Sequence, residues 1–155
     1  MFIWLATRAL PKAAGSKIIA HICNDGGAWG KGFVLALSKI SPAPERAYRK
    51  WYAERNRNDF ALGALQFMSV SEDVTVANMI GQHGIRTIGG IPSIHYAAVE
   101  TALETVGKKL SPKTPRFICR ASAAASAGGS WREIELLIER QICALDVPVF
   151  VYDLR

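Results

Sequence analysis

Between β-type and helical patterns near its start, the chain reads His21-Ile22-Cys23-Asn24-Asp25-Gly26-Gly27-Ala28-Trp29-Gly30-Lys31-Gly32-Phe33. An apolar run from Ile18 to Cys23 stops at Asn24-Asp25, crosses four glycines and enters a helical pattern at Phe33-Val34-Leu35-Ala36-Leu37. A strand, a glycine turn and a helix start in that order present backbone N–H groups to an anion. Glycine lets the backbone come close, and the first N–H groups of a helix lack partners within it. The chemistry implied is binding of a phosphate-bearing ligand. Lys31 lies inside the turn and reads equally well as a contact to that anion or as a solvated, carbonyl-bonding lysine.

The three histidines divide by context. His21 lies in the apolar run and reads as a hydrogen-bonded core residue. His83 is flanked by glycines in Gly81-Gln82-His83-Gly84 and could serve as a base or simply face solvent. His95 opens a helix and is expected to face water. The histidines and acids lack metal-ligand spacing, so no metal site is expected. Three cysteines, Cys23, Cys119 and Cys143, lack that spacing too and read as small buried hydrophobes in a reducing compartment. Trp4, Trp29, Trp51 and Trp131 read as packing residues, and Phe33 is the aromatic best placed against a ligand.

The elements that must position these groups follow from periodicity. Residues 2–7 and Ile18 to Cys23 read as strands, the second covered on both faces. Phe33, Leu35, Leu37 and Ile40 predict a buried helix ending near Ser41-Pro42, and Pro44 with Glu45 starts another through Tyr48, Trp51 and Tyr52. Leu62 to Val70 and Val74 to Ile80 predict an antiparallel pair joined by Ser71-Glu72-Asp73. Ser93 is the expected N-cap of a helix carrying Tyr96, Val99, Leu103 and Val106. A strand is expected within Arg116 to Cys119. Ser130 and Glu133 have capping-box spacing before Ile134, Leu137, Ile138, Ile142 and Leu145. Val147 to Tyr152 is a final strand.

Strands alternating with helices imply a mixed, mostly parallel sheet with helices on both faces. Its ligand crevice should lie outside the strand ends, where the loops 24–33, 81–90 and 120–130 can converge. The chain has 155 residues, half of them apolar, and a mean hydropathy of +0.12, which fits one folded domain spanning 1–155. Its opening apolar stretch is too short for a signal peptide or membrane span, so a cytoplasmic protein without membrane partners is expected. A net charge of +6 permits an anionic partner. Arg46, Arg49, Lys50, Arg55 and Arg57 alternate with Glu45, Glu54 and Asp59, which reads as a solvated helix face; nucleic acid is the lesser reading.

Four pieces taken together resemble a known family: Ile19 to Asp25, Gly30-Lys31-Gly32-Phe33, Asn78-Met79-Ile80-Gly81-Gln82-His83-Gly84, and Ala127-Gly128-Gly129-Ser130-Trp131. The chain is similar to bacterial macro domains from about Lys17 to Leu154, nearest to the branch related to terminal ADP-ribose protein glycohydrolase. That resemblance implies a three-layer α/β/α sandwich binding ADP-ribose or an ADP-ribosylated macromolecule, with no cofactor. It implies that Asn24 faces the distal ribose. Asp25, Gly30, Lys31, Gly32 and Phe33 would wrap the ribose and diphosphate. Gly81, Gln82, Ala127, Gly128, Gly129 and Ser130 would complete the site. The lyase-like branch uses a lysine and an aspartate where this chain has Gln82 and Ala127, which disfavours that mechanism. For hydrolysis through a positioned water, the candidates are Asn24, Asp25 and His83.

The chain departs from the family at two places. Macro domains carry Gly-Asp-(Ile/Ala)-Thr after the first strand, its aspartate reading adenine; here Leu5-Ala6-Thr7-Arg8 has no carboxylate, leaving an acid such as Asp25 to supply it. Before Ala127, the family's Met-Pro-Arg-Ile-Gly-Cys-Gly-Leu type of segment is replaced by Cys119-Arg120-Ala121-Ser122-Ala123-Ala124-Ala125-Ser126. One choice of codons for residues 119–125 is TGC CGC GCA TCG GCT GCG GCC. With an A in front and the frame moved one base, the same letters encode Met-Pro-Arg-Ile-Gly-Cys-Gly. The hypothesis is a short out-of-frame stretch, restored by Ala127. Resequencing the gene decides it, since codons incompatible with the shifted reading would end the idea. A chain that truly carries these residues should have a remodelled second phosphate loop, which leaves a binding-impaired homologue with a structural or interaction role as the alternative function.

Overall fold

The computed structural model describes residues 2–5, 15–85, 89, 93–110, 116–120 and 128–152. They form a six-stranded sheet with strands β1 (Phe2–Leu5), β2 (Lys17–Asn24), β3 (Leu65–Ser71), β4 (Val74–Gln82), β5 (Arg116–Arg120) and β6 (Val149–Tyr152). The spatial order is β1-β6-β5-β2-β4-β3; all neighbours are parallel except the β3–β4 hairpin. The helices are α1 (Phe33–Ile40), α2 (Ala43–Ala53), α3 (Tyr96–Lys109) and α4 (Trp131–Gln141).

Alternation along the central strands sends successive side chains to opposite faces, and each face has its own core. Ile18 and Ala20 of β2, Ala77 and Met79 of β4, Phe117 and Cys119 of β5, and Val149 and Val151 of β6 join one cluster. Val99, Leu103 and Val106 of α3 and Ile134, Leu137 and Ile138 of α4 cover it. The intervening residues Ile19, Cys23, Val76, Ile80 and Ile118 meet Leu37 of α1 and Tyr48 and Trp51 of α2. The result is the three-layer α/β/α sandwich. Among the described residues no helix is long and apolar enough to cross a membrane.

A buried polar thread runs through the second layer. His21 Nε2 lies 2.5 Å from Asn78 Oδ1 across the β2–β4 pair. The Asn78 amide nitrogen donates to Gln66 Oε1 on β3 (3.1 Å) and to the Pro44 carbonyl at the start of α2 (3.4 Å). Gln66 Nε2 in turn donates to the Ala47 carbonyl (3.2 Å). Because the Asn78 nitrogen side is spent on acceptors, its oxygen must accept from His21, which fixes the Nε2–H tautomer of that ring.

Several boundaries differ from the sequence reading, each for a tertiary reason. Helix α3 starts at Tyr96 with His95, not Ser93, as its cap, the ring Nδ1 accepting from Ala98 N at 3.3 Å. Ile94 is bridged to Gln82 and His95 N donates to the Gly81 carbonyl, so the chain stays extended through 93–95. The same pairing carries β4 to Gln82, two residues beyond its expected end. Ser130 stands at the N-cap of α4 but its hydroxyl makes no cap bond; its backbone N–H donates to the Tyr96 hydroxyl (2.8 Å). In α1 only Leu37 is buried, and Leu35 and Ile40 are about half exposed: Leu35 lies about 200° round the helix from Leu37, and Ile40 is the last residue of the helix.

Candidate functional site

The parallel strands β2, β4, β5 and β6 all end at one edge of the sheet, the edge that binds ligands in open α/β sheets. The register shifts between Cys23 and Asn24, so Asn24 faces Gln82 where regular pairing would give Gly81. That bulge frees the Asn24 side chain from the sheet.

Asn24 then organises the whole glycine turn. Its Oδ1 accepts from the N–H groups of Gly26 and Ala28, both at 3.0 Å, and its amide donates to the Ala28 carbonyl at 2.8 Å. The Tyr48 hydroxyl, reaching over from α2, lies 2.6 Å from the Asn24 carbonyl and 3.0 Å from its Oδ1. Burial pushes that hydroxyl well above its ordinary pKa, so it remains protonated at any physiological pH.

A second device holds the outer half of the turn. Glu45 accepts from Arg49 Nε (2.9 Å) and from Ser38 Oγ (3.1 Å), while Ser38 accepts from the Trp29 indole (3.0 Å). So oriented, the Arg49 guanidinium donates to the carbonyls of Gly27 (3.4 Å) and Trp29 (3.3 Å). In a trans peptide the N–H points opposite the C=O. With the Trp29 carbonyl turned to Arg49, the Gly30 N–H points away from α2; with the Ala28 carbonyl turned to Asn24, the Trp29 N–H points away from that side chain. Gly30 and Gly32 have open space where a Cβ would stand, leaving room for a ligand against the backbone.

Gly27 shows how tightly the turn seats on α2. It adopts φ +76°, and a Cβ there would lie 2.4 Å from the Tyr52 ring. That ring is itself held edge-on to Phe60. Gly27→Ala should therefore lose about 2 kcal/mol of stability from the left-handed strain and the clash together. Chemical denaturation measures it; an unchanged midpoint would mean that the turn re-seats freely.

The third cluster joins the turn to the end of β4. Asp25 N donates to the Gln82 carbonyl (2.9 Å), Asp25 Oδ1 accepts from Gly84 N (2.8 Å), and Asp25 Oδ2 lies 2.7 Å from His83 Nδ1. The His83 backbone N–H donates to the Ser93 carbonyl (2.7 Å) and Gln82 Nε2 donates to the Gly84 carbonyl (3.1 Å), closing the base of that loop.

A macrodomain protein from Streptomyces coelicolor shares 42% identity, covers 99% of this chain and 99% of its own, and superposes with a TM-score of 0.87. The chain belongs to the macrodomain family. A Bacteroides thetaiotaomicron protein of unknown function is as similar, at 41% identity over 99% of this chain and 98% of that one, with a TM-score of 0.91. The macrodomain of Thermus aquaticus DarG shares the fold at 22% identity and a TM-score of 0.75, covering 99% and 98% of the two chains. Mouse chromodomain-helicase-DNA-binding protein 1-like is 26% identical over 148 residues, and this chain spans 15% of its length. No family model matches the sequence.

In this macrodomain the residues singled out by sequence take different places. Asn24, Asp25, Gln82 and His83 meet at one edge through direct contacts. Gly30, Lys31 and Gly32 are exposed on the turn, and Phe33 starts α1 half-buried, its ring 6.0 Å from that of His21. Gly81 is buried: a Cβ there would lie 2.6 Å from Val99 and 3.1 Å from Ile22, so its glycine is needed for packing α3 on the sheet. Gly128 (φ +72°), Gly129 and Ser130 lead into α4. Cys119 and Arg120 of the altered segment 119–126 end β5; its residues 121–126, Ala127 and the Ala6-Thr7-Arg8 stretch lie outside the described residues. Asp25 has both oxygens engaged by the 83–84 loop, which ties its carboxylate to the end of β4.

His21 is buried, edge-on to Trp29 at 5.3 Å, and desolvation lowers its pKa to about 4, so it is a neutral core histidine. Burial pushes the Cys23 and Cys119 thiols far up, leaving them unreactive. The sequence reading missed Tyr48, Glu45 and Arg49 as parts of the site. Arg49 read there as one cation of a solvated helix face, and while it is exposed, its guanidinium end is committed to the turn.

Proposed function

We propose that this macrodomain binds ADP-ribose or an ADP-ribosylated macromolecule and hydrolyses ADP-ribosylated substrates weakly. The observation that carries the reading is the double anchoring of the glycine turn. Asn24 and Arg49 hold its carbonyls, and successive N–H groups at Trp29 and Gly30 are turned away from them, as an anionic diphosphate requires. Asn24 would stand at the distal ribose, with Asp25, Gly30, Lys31, Gly32 and Phe33 along the ribose and diphosphate. Gln82 and the Gly128-Gly129-Ser130 approach to α4 would supply further contacts, and Ala127 the junction to the altered segment. Thermosipho africanus DarTG, which shares 14% identity and the fold at a TM-score of 0.67 over 87% of this chain and 37% of its own, has been solved in complex with ADP-ribose.

The competing reading, a binding-impaired homologue acting as an interaction protein, draws on the small-residue segment before Ala127. Calorimetric titration with ADP-ribose separates the two. Micromolar binding supports the proposal, and absence of heat at millimolar ligand rejects it in favour of the alternative.

A further inference from the structure

Asp25 and His83 belong to different loops, separated by 58 positions in the chain, yet form one ordered pair at the strand ends. Asp25 is fixed from three directions: its own N–H on the Gln82 carbonyl, Oδ1 on the Gly84 N–H, and Oδ2 on His83 Nδ1. The Asp25 side chain is 23% exposed and that of His83 77% exposed. A carboxylate only accepts hydrogen bonds, so it selects the imidazole tautomer that carries its proton on Nδ1. Nε2 is then left with its lone pair on the accessible side of the ring. A nitrogen base, a partly buried orienting carboxylate and an adjacent ligand turn are the parts that general-base chemistry needs.

We propose that His83 is the general base of this site and Asp25 its positioning residue, acting on a water that attacks the distal ribose of a bound ADP-ribosyl substrate. This rests on the ADP-ribose reading above. In the step, the water oxygen forms a bond to the anomeric carbon and its proton passes to His83 Nε2. The bond from that carbon to the leaving atom breaks, and its electron pair departs with the leaving atom. Asp25 stabilises the resulting imidazolium, which returns the proton to the leaving group or to solvent. Asn24, adjacent in sequence and rigid through its turn contacts, places the sugar beside the pair.

The test uses the full chain and a peptide carrying ADP-ribose esterified to a glutamate side chain, with ADP-ribose affinity measured in parallel. His83→Gln should cut single-turnover hydrolysis by about 100-fold or more while ADP-ribose affinity stays within about threefold. Asp25→Asn offers an amide N–H to Nδ1 and forces the proton onto Nε2, so it should lose a similar factor although His83 is present. The ascending limb of the wild-type pH–rate profile should vanish in His83→Gln, and added imidazole should restore turnover to His83→Ala. A structural latch would give neither result. Wild-type binding with undiminished hydrolysis in His83→Gln, or with no hydrolysis in any form, overturns the base assignment and leaves the binding reading intact. Failure of the wild type to bind ADP-ribose overturns both.

Discussion

Replacing Asn24 by alanine should weaken ADP-ribose binding by about 100-fold, the largest loss expected from a single truncation in the turn. The side chain makes one donated and three accepted hydrogen bonds, two of them to backbone N–H groups of the turn. Each is worth about 1 kcal/mol net, while Arg49 reaches these peptides through a longer bond to the Gly27 carbonyl (3.4 Å). Without them the turn must be ordered anew each time ligand binds, and the ordering cost is subtracted from affinity. The Tyr48 hydroxyl keeps the Asn24 carbonyl as acceptor, so the fold should survive. Tyr48→Phe serves as the graded control, removing the hydroxyl's contacts to the Asn24 carbonyl and Oδ1 and leaving the two turn N–H bonds in place. Calorimetry on the three proteins checks the order wild type, Tyr48→Phe, Asn24→Ala. An Asn24→Ala protein that binds like wild type would show that the turn is rigid without its amide.

Acid should destabilise this fold through His21. Its pKa falls from 6.5 to about 4 in the folded chain because burial disfavours the charged ring. The unfolded chain therefore takes up the proton first as pH falls. The stability tied to the neutral ring is fully present above pH 6.5 and drains away between 6.5 and about 4. At 1.36 kcal/mol per pKa unit the loss over that window is about 3 kcal/mol. His21→Gln keeps a side-chain N–H for Asn78 and does not titrate, so urea denaturation across this pH range should give a much flatter curve. Acid-sensitive carboxylates are common to both proteins and cancel in the difference. Parallel curves would mean that water reaches and solvates the charged ring.

The sequence carried the parts of this structure that depend on short-range pattern. Strand β2 reads as doubly covered because Ile18 through Cys23 is apolar without alternation, and its side chains divide between the two cores. The glycine turn and the start of α1 are legible because the glycine positions demand it, as Gly27 and Gly32 at φ +76° bear out. What could not be read is what crosses the chain. Tyr48 and Arg49 meet the turn from 24 and 20 positions away, and nothing local distinguishes Arg49 from the solvated arginines around it. Ser93 has the right residue type for a cap, but pairing at Gln82 and Gly81 holds its segment extended and passes the role to His95. Ser130 fails as a capping box for a related reason: the Tyr96 hydroxyl has taken its N–H. Of the expected catalytic trio, Asn24, Asp25 and His83, residue type and flanking glycines suggested the members, whereas their meeting depends on the β2–β4 register.

That register has an ambiguity built into it. Sliding β2 by one residue along β4 would exchange the residues of the two cores, and sliding by two would return each side chain to its own. Because both faces of β2 are apolar, burial rejects neither slip as strongly as it would in a strand with one solvated face. The polar thread from His21 through Asn78 to Gln66 and the carbonyls of Pro44 and Ala47 exists in one alignment only. It works as an index mark, rejecting the near-degenerate sheet in which Asn24 would no longer face Gln82 and the two halves of the ligand edge would never meet.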